Sequence, residues 1–377
     1  MRIAVNTRFL LPDRLEGIGW FTYEVVRRLV DRRPEDEFIF LFDRPFDPAF
    51  VFADNVKPVV VPPPARHPLL WYLWFEWSVP WVLRRKQADV FFSPDGYCSL
   101  RSKVPTVMVT HDIAHEHYPE QVPPLVRRYY QHFVPRYIQR ADQVVTVSQA
   151  TAKDIQAHYG TPAQKLHPAC NGVRSVFRPL SEEEKTRTRQ AFAEGQEYFF
   201  YLGAVHPRKN LARLIAAYDQ FRKRTSAPVK LLIGGRFAWQ TGEVDAAYRQ
   251  AEYRDDIVFL GYLDGADLPR LVGAALALTY VSLFEGFGVP VLEAMHCDVP
   301  IITSNVSSLP EVAGEAALLV DPTDVSAIAQ AMERVQKDES LRTALVAKGG
   351  QQRERFSWEL ATDVVEQALY SSHDSKS

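Results

Sequence analysis

Apolar residues in this chain gather in short runs, and between the runs the apolar positions recur every three or four residues. Residues 3–6, 38–42, 59–61, 89–92, 106–109 and 144–147 are β-rich runs of strand length. Helical periodicity fills several of the intervals, most clearly 20–30, 126–139 and 150–158. A second series of the same kind begins at Tyr198, with runs at 198–202, 229–233, 257–260, 274–279, 300–303 and 317–320. Strands alternating with helices predict an α/β fold with doubly wound parallel sheets. Two such series in 377 residues, a length too great for one core, predict two Rossmann-like domains facing across a cleft. The Asn171-Gly172 turn and the polar run 181–189 mark the junction, so the expected domains are 1–178 and 179–355. In that run Ser181 is placed to cap a helix whose first turn holds Glu182, Glu183 and Glu184. The segment 356–372 reads as a terminal helix.

Composition narrows the classes without naming one. A hydrophobic fraction of 46% and a charged fraction of 24% are ordinary for a globular protein. A formal net charge of -2 gives no reason to expect nucleic acid as a partner. Cys98, Cys170 and Cys297 are odd in number and far apart, which suggests neither a disulfide framework nor a zinc site. That usage fits a reducing cytosol. Met-Arg-Ile-Ala-Val-Asn-Thr enters a strand directly and carries no signal-peptide pattern, and no apolar run reaches the ~20 residues that span a bilayer.

The densest chemistry lies in 282–293, Ser-Leu-Phe-Glu-Gly-Phe-Gly-Val-Pro-Val-Leu-Glu. A buried strand ends just before it, and Pro290 stands where the first turn of a helix tolerates a missing N–H. Gly286 and Gly288 let the backbone approach a ligand between the two. Such a strand-to-helix turn offers N–H groups and a positive dipole end to phosphate. Glu285 in the turn and Glu293 one turn into the helix would then line one crevice at the C-terminal edge of a parallel sheet. Arg208 and Lys209 follow the strand 198–202 and precede a helix from Leu211, with Asn210 as a candidate N-cap. They read either as a diphosphate clamp or as a solvated basic turn.

Other residues carry two readings each. Gly17 and Gly19 follow the first strand and are either a phosphate-facing loop or an ordinary glycine turn. His111, at the end of the strand 106–109, either meets a transferred group or packs the strand end. Together with His115 and His117 it makes no convincing metal site, because no plausible ligand set of carboxylates or cysteines backs them. Tyr262 and Leu263 follow the strand 257–260 and are placed to frame a base, within the turn Gly261-Tyr-Leu-Asp264-Gly265. Ser304 and Asn305 either donate to a diphosphate or form a turn. Trp71, Trp74 and Trp81, beside Arg84, Arg85 and Lys86, fit core packing or docking on an anionic membrane. The basic aromatic run 127–140 keeps a peripheral membrane contact and a lipid-linked acceptor in view.

Glu285-x7-Glu293 with Gly286-Phe287-Gly288 resembles the E-x7-E signature of retaining glycosyltransferases of family 4, which have the GT-B fold. The run 300–322 resembles the segment that follows in the mannosyltransferase-like branch. The resemblance implies a nucleoside-diphosphate-sugar donor, GDP-mannose first, and UDP-glucose or a dTDP-sugar as alternatives. It implies a glycan or lipid-linked acceptor and front-face substitution with no metal needed for the chemistry. By the same resemblance Arg208 and Lys209 hold the diphosphate and Glu285 holds the donor sugar, while the backbone N–H groups of Gly286, Phe287 and Gly288 serve sugar or phosphate. Glu293 accepts from the ribose hydroxyls, His111 meets the sugar or acceptor, and the terminal helix returns to the first domain. One departure stands out: many relatives have an arginine directly after the glycine, where this chain has Ala204. A sugar-nucleotide epimerase of the same fold and a non-catalytic nucleotide-sugar-binding protein are the rival readings.

Overall fold

In the computed structural model, residues 1–12, 15–236, 242–263 and 265–374 are described. Asp264 therefore lies outside the described residues. The chain divides into two compact units, one of residues 1–171 with the segment from Ser357 onward, the other Gly172–Phe356.

The first unit is built on seven parallel strands: β1 (Arg2–Asn6), β2 (Glu37–Phe42), β3 (Val56–Val60), β4 (Val90–Ser93), β5 (Thr106–Thr110), β6 (Gln143–Thr146) and β7 (Leu166–Pro168). Their order is β3-β2-β1-β4-β5-β6-β7. Sequence periodicity missed β7, which has three residues and ends in Pro168; a proline is tolerated there because the strand lies at the sheet edge. The second unit has six: β8 (Tyr198–Leu202), β9 (Lys230–Gly234), β10 (Ile257–Gly261), β11 (Ala277–Tyr280), β12 (Ile301–Ser304) and β13 (Ala317–Val320), ordered β10-β9-β8-β11-β12-β13. Strands such as β2 and β8 are buried almost throughout rather than on alternate residues. Helices cover both faces of a parallel sheet, so its strands read as continuous apolar runs, which is the pattern seen in the sequence.

Two expectations shift, and one open choice is settled. The strand expected from Ala274 begins at Ala277, because Ala274 still closes the helix Asp267–Gly273. Residues 172–178 belong with the second unit rather than the first: Arg178 lies against the second unit's Gly273, where an added Cβ would stand 3.6 Å from the Arg178 carbonyl. Trp71 and Trp74 are core residues, Trp74 fully buried and Trp71 set among Tyr97, Tyr129 and Tyr130.

The helix Glu182–Ala193 starts with a full capping box between Ser181 and Glu184, as the polar run implies. The terminal helix, Trp358–Asp374, lies on the helix Gly17–Arg32 within the first unit. Arg28 and Arg32 both reach Glu359, and Arg33 reaches Glu366. None of the described helices is long and apolar enough to cross a membrane.

Candidate functional site

Both sheets reverse their strand order beside their first strand, between β1 and β4 in one unit and between β8 and β11 in the other. At such a switch point the two flanking loops leave in opposite directions and open a crevice beyond the carboxyl ends of the strands. The chemistry-bearing residues of each unit are gathered there.

In the second unit, β8 runs into a 3-10 turn, Pro207–Lys209, and β11 runs into the loop 281–288. Lys209 Nζ donates to Glu285 Oε1 at 2.6 Å and to the Tyr280 hydroxyl at 2.8 Å, and that hydroxyl donates to Glu285 Oε1 at 2.7 Å. Arg208 Nη1 donates to the Phe284 carbonyl at 2.9 Å and stands 3.5 Å from Glu285 Oε2. Burial alone would push the Glu285 carboxyl up, but the charges of Lys209 and Arg208 outweigh it and hold the group below the usual carboxylate range. Two cations thus share one buried anion, leaving net positive charge to attract a phosphate.

Glu293 is in the opposite state. It lies in the helix Val289–His296, one turn in, and is 7% exposed. Burial raises its carboxyl to about 7, opposed only by the charge of Arg174. Two carboxylates eight residues apart are therefore displaced in opposite directions, because two cations outweigh burial at one while burial outweighs the charge of Arg174 at the other.

The loop is held in place by groups that local sequence reading overlooks. Asn210 stands at the helix start with φ 62°, yet its side chain does not cap the helix. Its Nδ2 instead donates to the carbonyls of Val281 (2.9 Å) and Pro322 (2.7 Å), tying the two loops together. Ser308 Oγ donates to the carbonyls of Glu285 and Phe287, and Ser307 Oγ accepts from the Glu285 N–H at 3.0 Å. Gly288 has φ 103°, and a Cβ there would stand 2.7 Å from Leu309, so conformation and packing both require glycine.

In the first unit, Asn6 at the end of β1 and Arg8 just beyond it meet Asp95 after β4. Asn6 Nδ2 donates to Asp95 Oδ2 at 2.7 Å, and Arg8 forms a buried ion pair with the same carboxylate. The Arg8 guanidinium also lies over the rings of Phe75 and Tyr97. No sequence motif marks these residues; a charged pair this buried at a switch point is visible only in three dimensions. His111 directly follows β5 and its Nε2–H donates to the Pro94 carbonyl at 2.8 Å, while burial lowers its affinity for a proton. The ring is therefore neutral at pH 7, with Nδ1 as the remaining acceptor.

The sequence and the fold have counterparts among known proteins. Residues 182–352 match the family described as Glycosyl transferases group 1, and residues 15–175 match Glycosyltransferase Family 4. O-antigen chain mannosyltransferase B of Escherichia coli is 31% identical over 92% of this chain and 94% of its own length. The chain belongs to glycosyltransferase family 4. Serotype-specific mannosyltransferase WbdA of Escherichia coli is 28% identical over 71% of this chain, a match covering 34% of that longer relative. Among solved structures, sucrose-phosphate synthase from Thermosynechococcus elongatus superposes with a TM-score of 0.79 over 100% of both chains at 18% identity. The fold is GT-B, and this family 4 protein is a glycosyltransferase.

Several expected site residues make structural contacts of their own. The Phe287 side chain is 3% exposed and set edge-on against Phe356, so it anchors the loop whose backbone carries Gly286 and Gly288. Ser304 is buried and donates to the Ser282 carbonyl at 2.7 Å, which spends its hydroxyl on the neighbouring strand end. Asn305 is exposed and bonds through its backbone to Val320. Gly19 is glycine because a Cβ would stand 2.8 Å from the Phe9 carbonyl, whereas Gly17 has open space. Tyr262 is 60% exposed beyond β10, while the Leu263 side chain comes within 2.6 Å of where a Cβ on Gly234 would stand. The three histidines do not converge: His115 lies beside the Tyr159 hydroxyl, and His117 bonds Asp154, which also meets His158. That carboxylate comes from another helix, so local sequence could not supply it. Replacing Phe287 with alanine is expected to cost roughly 3–5 kcal/mol of stability in urea unfolding; a cost near zero would show that the ring is not the anchor of the loop.

Proposed function

We propose that this glycosyltransferase moves a hexose, mannose first, from a nucleoside diphosphate sugar to a glycan or lipid-linked saccharide, with retention at the anomeric carbon. The observation that carries the reading is the pair Arg208 and Lys209 closed on Glu285 at the switch point of the second sheet. A diphosphate entering there competes with Glu285 for Lys209 and Arg208, and the freed carboxylate accepts from sugar hydroxyls. Each carboxylate oxygen can accept one O–H, which suits Glu293 to the ribose diol in the same way. The mannose assignment is supported by relatives that bear that name, and GDP-mannose is the leading donor.

In the reaction the bond from the anomeric carbon to the leaving phosphate oxygen breaks, and a bond to the acceptor oxygen forms on the same face. The acceptor proton passes to the departing phosphate oxygen, whose charge Arg208 and Lys209 stabilise. The residues of the chain bind, orient and neutralise, and none is asked to form a covalent intermediate.

The test is a thermal-shift series with GDP-, UDP-, dTDP- and ADP-sugars on wild type, Arg208→Ala and Glu293→Ala. A nucleotide at 100 times its dissociation constant should stabilise by about 2.7 kcal/mol, a clear shift. GDP-mannose is expected to stabilise the wild type and to act weakly on both variants. No shift with any nucleotide, or an equal shift in the variants, would overturn the donor site.

A further inference from the structure

Between Pro68 and Arg85 the chain forms one unbroken helical rod, α-helical at Pro68–Leu73, π-helical at Trp74–Ser78 and α-helical again at Val79–Arg85. Its inner side carries Trp74, Phe75, Val79, Val82 and Leu83, all buried. Its outer side carries Leu69, Leu73, Trp77 and Trp81, exposed by 66%, 44%, 54% and 60%. These four are spaced by four residues. In a plain α-helix a four-residue step overshoots a full turn by about 40°, so the row would wind away from one face. The wider π turn in the middle takes back part of that drift and keeps the four side chains in one stripe.

Beside the stripe runs the helix Pro124–Arg140, which adds the exposed Leu125. Leu69, Tyr72, Leu125 and Phe133 line a groove between the two helices, with Arg128 and His132 at its rim. The charges around this apolar surface have one sign. Arg84, Arg85, Lys86, Arg101, Arg128 and Arg136 are exposed. The only acid in either helix is Glu76, which is buried and accepts from the Leu100 N–H at 3.1 Å. Arg101 lies over the Trp77 ring at 3.9 Å and Arg85 over Trp81 at 5.1 Å, so each exposed indole carries a cation on its face. Indoles with guanidinium partners suit the level of lipid headgroups, where the ring meets the acyl boundary and the cation meets phosphate. With no described helix able to cross a bilayer, contact through this face is peripheral.

We propose that the face formed by Leu69, Leu73, Trp77 and Trp81, with the groove beside it, docks on a bilayer containing anionic phospholipid. The proposal is independent of the donor site, which lies in the other unit.

The test is flotation of the full chain with phosphatidylcholine vesicles, with and without phosphatidylglycerol, on wild type and two double variants. One variant is Trp77→Glu with Trp81→Glu; the other is Arg84→Glu with Arg85→Glu. All four side chains are exposed, and circular dichroism and the melting temperature confirm that each variant folds. Wild type is expected to float with phosphatidylglycerol vesicles and to be released by salt. Each variant should lower the partition coefficient at least about tenfold, since apolar insertion and charge attraction both contribute. The nucleotide-induced thermal shift should be unchanged in both. The proposal fails if wild type does not float with anionic vesicles, or if the tryptophan variant floats as well as wild type. It also fails if the tryptophan variant instead dissolves a dimer seen by sedimentation, because the stripe would then face a second copy of the chain.

Discussion

Lys209→Ala is expected to lower kcat by roughly 100- to 1000-fold, about 2.7–4 kcal/mol of transition-state stabilisation, the loss typical of removing one pre-placed donor at a developing charge. The donor in question is the Nζ that now bridges Glu285 and Tyr280. Those partners place the ammonium at the switch point before any ligand arrives, so little ordering remains to be done when the diphosphate departs. The substitution also leaves Glu285 buried with Arg208 as its remaining cation. Its carboxyl should then titrate higher than in the wild type, because burial is opposed by one charge rather than two. Lys209→Arg separates the two roles. It restores the charge, so it should recover stability, while its planar fork cannot occupy the same point between Tyr280 and Glu285. A kcat within a few fold of wild type for Lys209→Ala would remove this residue from the leaving-group site.

Glu293→Gln is expected to raise the melting temperature at pH 8 while weakening nucleotide binding. The sign follows from the two protonation states. In the unfolded chain this carboxyl titrates near ~4.3, and in the folded chain burial raises it to about 7. Between those values the folded state holds more protons than the unfolded state, so stability falls as pH rises through the window. Above pH 7 the buried charge costs about 4 kcal/mol relative to its neutral form, from 1.36 kcal/mol per pH unit of displacement. Glutamine stays neutral and avoids that cost. If about 2 kcal/mol is regained at pH 8, the melting temperature of a unit this size should rise by roughly 4–8 °C, and the gain should vanish below pH ~4.3, where the carboxyl is protonated in both states. Nucleotide affinity should run the other way. The ionised form accepts the diol, so wild-type affinity should weaken as pH falls below 7, and the variant should lose that dependence. An unchanged melting temperature at pH 8 would contradict the buried charge, and an unchanged pH profile of binding would contradict its contact with ligand.

Much of this site was legible because its residues are close in sequence. The spacing of Glu285, Gly288, Pro290 and Glu293 encodes a strand end, a turn and a helix start, and each step depends on local backbone preference. The same holds for Ser181 and Glu184 at the helix cap. The structural share of Phe287 and Ser304 was hidden for the converse reason. They sit inside or beside a functional motif, and only the packing of Phe287 on Phe356 and the bond from Ser304 to Ser282 reveal that they support it. Asn210 shows the limit of local rules: the residue stands where an N-cap belongs, but more distant carbonyls claim its side chain.

From the sequence alone came the alternation of strand and helix, the two α/β sheets and the segment that carries the paired glutamates, since these rest on periodicity and on short-range turn chemistry. Tertiary structure decided what those residues are in chemical terms. It set Lys209 and Arg208 around Glu285, let burial outweigh the single charge of Arg174 at Glu293, and joined Asn6, Arg8 and Asp95 across 87 residues or more. It also sorted the tryptophans of one helix into core and surface. Charge state and exposure depend on neighbours brought from far along the chain, and no local pattern records who those neighbours are.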